Sequence, residues 1–361
     1  MIDKNWLQEV ITHPAKALLF ITADLPGIGG EIKAIPAHFV VKEIPLYEPA
    51  GEGEHVYVRL TREGWTTHAL QKKLAGLFAL RDADVGCAGL KDKHARVTQT
   101  FSLPLRKVDE AAVARRIQET LPVEVVWARR HRNKLRPGHL LGNRFRIVVL
   151  HPQPNAMAQA KAIAQALQMR GVPNYYGAQR FGIKGDNALH GQQILSGRGP
   201  RQRWLKRLLL AAYQSALFNA WLAERIQQRW FDRLLTGDVA KKTDTGGLFD
   251  VTDAELEAPR FRRQEITYTG PIYGARMRWA NDKPGELERS IMESAGVTSE
   301  ILRRARLDGS RRTARFFPWE LDVEQHPDGL LFTLALPKGA YATTVLQEFM
   351  KKERAVALPK S

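Results

Sequence analysis

The stretch GLLFTLALPKGAYATTVLQEFM, residues 329–350, reads as one strand, a tight turn at Lys338-Gly339 and a helix beginning near Tyr341. A single strand exposes unpaired backbone donors and acceptors along both edges, so this one needs a sheet to join. Strand patterns cluster in the first 150 residues. HFVVKEI (38–44) and HVYVRLT (55–61) are rich in β-branched and aromatic residues and flank a proline- and glycine-containing turn. Thr66 or Thr67 can cap a helix through Leu70, Leu74 and Leu77, and DVGCAGL (84–90) reads as a buried strand. A helix over 108–120, a strand VEVVWA and a strand RFRIVVL (144–150) follow. The pattern predicts an α/β or α+β core.

The middle of the chain is helical, with a helix over 156–169. A longer helix has Leu205, Leu208, Leu209, Ala212, Ala216 and Phe218 as its apolar face. HPQPN (151–155) is the clearest linker. With 361 residues, 44% hydrophobic and 26% charged, the chain can bury a real core and is expected to form two domains.

Charge narrows the partner. Fifty-five Lys and Arg against 38 Asp and Glu give a formal charge of +17, the balance of a protein that docks on a polyanion, with nucleic acid first. No apolar run is long enough to span a bilayer and no signal peptide is evident, so a soluble cytoplasmic protein is expected. The single Cys87 can form no internal disulfide. The ten histidines show no zinc-ligand spacing, so no metal is expected. RRHRNKLRPGHLLGN (129–143) places Arg129, Arg130, Arg132, Lys134 and Arg136 between two strands with no acid, which suits a phosphate-binding loop. Further basic runs lie at 198–207 and 303–315.

Against this background GLKDKHARVTQ (89–99) sets one carboxylate, Asp92, between Lys91 and Lys93 on a loop leaving a strand. Neighbouring ammonium groups favour the ionised form that a nucleophile or base requires. From the residue types alone the expected role is the ordinary one, a turn cap or a surface ion pair with Lys91 or Lys93. GNRF (142–145) and PNYYGAQRFG (173–182) interleave aromatic rings with Asn, Gln and Arg, which suits stacking on unpaired bases but also ordinary packing.

Six motifs in order, AGLKDKHA, KLRPGHLLGNRF, VPNYYGAQRFG, SALFNAWLAERI, TGPIYG and GAYATTVL, together resemble the TruD family of tRNA pseudouridine synthases over about residues 39–346. The resemblance implies a discontinuous catalytic core, residues 1–171 and 318–361, with a mixed, largely antiparallel sheet flanked by helices. It also implies an inserted α/β domain over 172–317, with RNA in the cleft between. It makes Asp92 the catalytic carboxylate of a reaction without cofactor, and uridine 13 of tRNA-Glu the foremost target. Phe39, Asn143, Phe145 and Tyr341 would hold the flipped base, with Lys33 near the site and Lys91 and Lys93 gathering phosphates. The expected partner is tRNA, with no membrane and no protein partner, so the chain is expected to be a monomer. His38, Val97 and Tyr341 depart from the usual Asp, Thr and Phe of the pattern. The rival from another class is a non-catalytic RNA-binding or RNA-folding protein. A metal-dependent nuclease is disfavoured because no carboxylate cluster accompanies Asp92.

Overall fold

A computed structural model describes residues 2–14, 19–32 and 35–351, in two compact units. One comprises Ile28–Ala164 with Pro318–Ala342; the other comprises the described parts of Met1–Gly27, Gln165–Phe317 and Thr343–Ser361. The described parts of Met1–Gly27 and Thr343–Ser361 thus group with the middle of the sequence, and burial shows why. The Glu348 carboxylate accepts from Ile21 N (3.0 Å), Thr22 N (3.3 Å) and Thr22 Oγ1 (2.7 Å), all buried, and this ties the C-terminal helix to the N-terminal segment.

The first unit is built on one mixed sheet from β1 (Gly29–Glu31), β2 (Phe39–Pro45), β3 (His55–Arg62), β4 (Gly86–Cys87), β5 (Arg96–Leu103), β6 (Glu124–His131), β7 (Leu140–Pro152), β14 (Glu320–His326) and β15 (Gly329–Pro337). The order is β14-β15-β7-β2-β5-β3-β6, with β1 beside β7 and β4 beside β5. Only β2 and β5 run parallel; every other recorded pair is antiparallel. Helices α2 (Thr67–Leu77, capped by Thr66 Oγ1) and α3 (Glu110–Thr120, capped by Asp109) bury Leu70, Leu74, Val113 and Ile117 against Val56, Val58, Leu60 and Phe101.

The C-terminal strand does not stand alone. It forms a hairpin with β14, whose alternating Glu320, Leu321, Asp322, Val323 and Glu324 turn only the apolar members inward, as befits a sheet edge. β15 then pairs with β7 from Gly329↔Leu150 to Pro337↔Gly142. Gly142 is bare because a Cβ there would lie 2.0 Å from the Leu336 carbonyl oxygen. The expected strand at 84–90 shrinks to Gly86–Cys87, and Cys87 is buried with its thiol pKa raised by that burial.

The second unit holds α1 (Lys4–Thr12), the later part of α4 (Ala156–Arg170), α5 (Asn187–Leu195), α6 (Arg203–Gln227), α7 (Ala254–Arg262), α8 (Asp282–Ser294), α9 (Ser299–Arg304) and α10 (Ala342–Met350). Strands β9 (Val239–Lys242), β10 (Leu248–Asp250), β11 (Ile266–Ile272) and β12 (Ser310–Thr313) make one small sheet; β8 (Val172–Pro173) pairs with β13 (Arg315–Phe316). The core is α6, buried almost continuously from Leu209 to Ala223. Leu208, expected on its apolar face, is exposed instead.

Candidate active site

Asp92 lies on the segment that leaves β4, where the edge of β5 changes partner. β2 covers Arg96–Thr98, β4 covers Phe101 and Ser102, and the intervening Gln99 reaches sideways into the gap. Gln99 Nε2 donates to Gly89 O at 2.6 Å; its Oε1 accepts from Thr67 Oγ1 at 3.2 Å and Arg62 Nη2 at 3.4 Å. Thr67 Oγ1 in turn accepts from Lys91 N (2.9 Å) and Arg62 Nη2 (3.2 Å), so its one proton and both lone pairs are used. These three polar side chains are all buried, and together they clamp both backbone ends of the tripeptide before Asp92.

The charge that accompanies Asp92 is not the one its neighbours in sequence suggest. Lys91 Nζ forms a buried ion pair with Glu43 Oε2 at 2.8 Å, and the Lys93 side chain is exposed. The buried guanidinium of Arg62 is a cation that interacts electrostatically with the Asp92 carboxylate. Burial pushes its pKa down to about 10, the negative charge of Asp92 opposes that shift, and Arg62 stays a cation at neutral pH. Asp92 is half-buried, and its Oδ1 accepts from His94 N at 3.0 Å, so it also closes its own turn.

Adjacent strands carry the ring and amide groups. Phe39 and Glu43 on β2 share a sheet face with Phe145 and Asn143 on β7, in the register Val41↔Phe145 and Glu43↔Asn143. The rings of Phe39 and Phe145 meet edge to face, 6.3 Å between centroids. Asn143 Oδ1 is buried and finds no hydrogen-bond partner among the described residues, an acceptor held ready at a cost. Tyr341, half-buried, follows the turn after β15 that Lys338 N fastens to Leu141 O at 2.8 Å. His38 Nε2 lies 3.2 Å from Asp328 Oδ2, and Val97 is fully buried opposite Val41 and Arg62. Lys33 lies outside the described residues.

The basic runs divide. Arg129 and Arg130 belong to β6 and not to a loop; Arg129 sits over the Trp127 ring, and Arg130 donates to Leu105 O at 2.9 Å and to Val108 O. Arg132 pairs with Glu52, and Lys134 donates to Ala83 O. Arg136 joins Lys134, Tyr47, His131, Asn133 and His139 around an open cavity of about 550 Å³. In the third run Arg311 pairs with buried Glu288 at 2.7 Å, Arg312 stacks on Tyr176 and Arg315 on Phe261. Those three arginines are engaged by groups of the second unit itself, so this run is not a freely solvated basic patch.

Sequence reasoning missed Arg62, Thr67, Gln99 and Glu43. None adjoins Asp92 in sequence; Glu43, Arg62 and Gln99 are polar residues at buried positions of strands, the one signal available for them, and Thr67 opens α2. Among the described residues no three His, Cys, Asp or Glu side chains come together as a metal-ligand set, and no helix is long and apolar enough to cross a membrane.

A solved structure described as the putative tRNA pseudouridine synthase D from Methanosarcina mazei superposes with a TM-score of 0.77. It covers 94% of this chain and 98% of that one at 24% identity, a likeness of fold. A tRNA pseudouridine synthase D of Thermus thermophilus is 43% identical over 335 residues, 92% of each chain. One from Anaeromyxobacter dehalogenans is 42% identical over 346 residues, covering 93% of this chain and 97% of its own. The family model for tRNA pseudouridine synthase D (TruD) matches residues 17–201 and 200–349, nearly the whole sequence, and the chain belongs to that family.

Proposed function

We propose that this TruD-family tRNA pseudouridine synthase uses Asp92 as its catalytic carboxylate, acting on uridine 13 of tRNA-Glu as a cytoplasmic monomer. The observation that carries the reading is the clamp: Arg62, Thr67 and Gln99 fix the loop and set the Asp92 carboxylate in the field of a buried guanidinium. Glycosidic-bond isomerisation needs such a group at the ribose. The carboxylate either attacks C1′ or removes the 2′ proton to give a glycal; in both cases N1–C1′ breaks and N1 takes up a proton. Uracil then turns and C5 bonds to C1′, the carboxylate leaving C1′ in the first route or returning its proton to C2′ in the second, and the C5 proton leaves for water.

The remaining groups fit the base. Phe39 and Phe145 offer a corner of two rings to a flipped pyrimidine, and the unpartnered Asn143 Oδ1 is an acceptor for a uracil N3–H. Arg136 and Lys134 line the open cavity, and their charge suits backbone phosphates of the same RNA.

One observation favours the non-catalytic alternative. The Asp92–His94 bond is a turn cap, a role that needs no chemistry. Asp92→Asn separates the two, because an amide oxygen still accepts that bond while the charge is gone. Tritium release from tRNA-Glu transcripts labelled at C5 of uridine, run with EDTA, is expected from wild type and lost in Asp92→Asn with folding and tRNA binding kept. A transcript with cytidine at position 13 should release none. Equal release by Asp92→Asn removes the carboxylate from the mechanism, and release from the cytidine-13 transcript removes the site assignment.

A further inference from the structure

The first turns of α6 carry the least neutralised charge in the second unit. Between residues 198 and 207 the chain has Arg198, Arg201, Arg203, Lys206 and Arg207 and no acid. Among the described residues none of these five side chains has an ion-pair or hydrogen-bond partner, and all five residues are exposed. The setting makes this unfavourable in the free protein. No acid lies in the first turn of the helix and its N-cap Gln202 makes no side-chain cap, so the positive end of the helix dipole adds to the cations' mutual repulsion.

Within this patch stands Trp204, 67% exposed, with Leu208 one turn on and also exposed. The same helix shows what burial here would look like. Leu205, Leu209 and Leu210 turn the other way and pack with Ile194, so Trp204 is not a core residue displaced by crowding. An indole surrounded by lysine and arginine is the composition of a stacking platform for single-stranded nucleic acid: every base has a π face, and the cations follow the phosphates on either side.

We propose that Trp204 stacks on an unpaired tRNA base, with Arg201, Arg203, Lys206 and Arg207 on the flanking phosphates, as a docking contact separate from the pocket for the isomerised uridine. The proposal rests on the tRNA reading above and extends it to the second unit. Two apolar side chains are too little surface for a lipid interface, where an amphipathic helix lays down a whole face.

The test measures both Kd for a full tRNA-Glu transcript and steady-state kinetics on it, for wild type, Trp204→Ala, Trp204→Phe and the quadruple Arg201→Gln, Arg203→Gln, Lys206→Gln, Arg207→Gln. Stacking on one base is worth roughly 5- to 150-fold on alanine substitution. Trp204→Ala is therefore expected to raise Kd and KM by about tenfold or more at unchanged kcat, and Trp204→Phe to recover most of it. The quadruple variant should flatten the salt dependence of binding, each lost phosphate contact removing roughly 0.7–0.9 from the slope of log K against log salt. Trp204→Ala within twofold of wild type, or Trp204→Phe no better than alanine, overturns the platform; so does a quadruple variant with the wild-type slope. Wild-type turnover in the same assay reports the catalytic reading separately, so either can fail while the other stands.

Discussion

Replacing Glu43 by Gln tests how the site is held. Glu43 and Lys91 are 2% and 6% exposed with their charges 2.8 Å apart, so neither side chain can exchange its partner for water without moving. At an effective dielectric of about 20 two such charges attract by ~6 kcal/mol, most of it offset by the cost of dehydrating them. Removing one partner leaves the Lys91 ammonium buried and unpaired, which costs about 3–5 kcal/mol. In a unit of this size that lowers the melting temperature by about 6–20 °C. The alternative open to Lys91 is to swing out. Its backbone N–H is one of the two anchors of the Asp92 loop, so swinging out misplaces the carboxylate, where an error of 1 Å is worth about a hundredfold in rate. Thermal melts with tritium release from C5-labelled tRNA read both effects. The double variant Glu43→Gln, Lys91→Met, with no charge left to bury, should recover most of the melting temperature. A single Glu43→Gln variant that melts within 1 °C of wild type and keeps its kcat would refute the argument.

Asn143→Ala is expected to lower kcat/KM on tRNA by roughly 10- to 100-fold while leaving the melting temperature unchanged or raised, since the acceptor it removes is buried without a partner; a clear loss of stability contradicts this. Gly86→Ala puts a Cβ 2.2 Å from Leu135 O and 2.4 Å from Ser102 Oγ, so β4 must shift and carry the Asp92 loop with it; activity should fall more than tenfold, and a normal variant enzyme counts against β4 as the loop's base. Arg225→Met leaves Asp238 buried without its two 2.7 Å bonds and strips the guanidinium from the Tyr268 face, and about 3–5 kcal/mol of stability should be lost in denaturant titration. His55 and His131 have pKa values lowered chiefly by burial, so the folded protein binds fewer protons than the unfolded chain just below pH 6.5. Stability is full above that pH and falls as pH drops through the folded-state values, and the paired substitution His55→Asn, His131→Asn should flatten the decline in melts between pH 7 and 5.

The parts of this architecture that declare themselves in sequence are those whose pattern is local. Strands over 39–45 and 55–62 show in their β-branched residues, and the α2 start shows in Thr66. β14 was hidden because an edge strand with one wet face alternates charge with leucine and valine, which reads as a polar loop despite the Asp328-Gly329 turn signal. Proximity in sequence pointed to Lys91 as the support of Asp92. The pairing of β2 and β3 on either side of β5 gives Lys91 to Glu43 and brings Arg62 into the field of Asp92, information that exists only after the strands are in register. The same holds for Arg311, Arg312 and Arg315. A run of arginines looks like a solvated patch until aromatic faces and a buried carboxylate are found beneath it.

The pairing of β15 with β7 sets a schedule for synthesis. β7 finds β2 among residues made before it, but its other edge has no partner until the end of the chain is made. At about 5–20 residues per second the wait between Leu150 and Gly329 is on the order of 10–40 s. During it a nascent chain holds a nearly complete sheet with one long apolar strand edge open, the form most apt to pair with another chain. A ribosome stalled before the last hairpin would therefore release a sticky fragment rather than a folded half, and dependence on chaperones should concentrate in that interval.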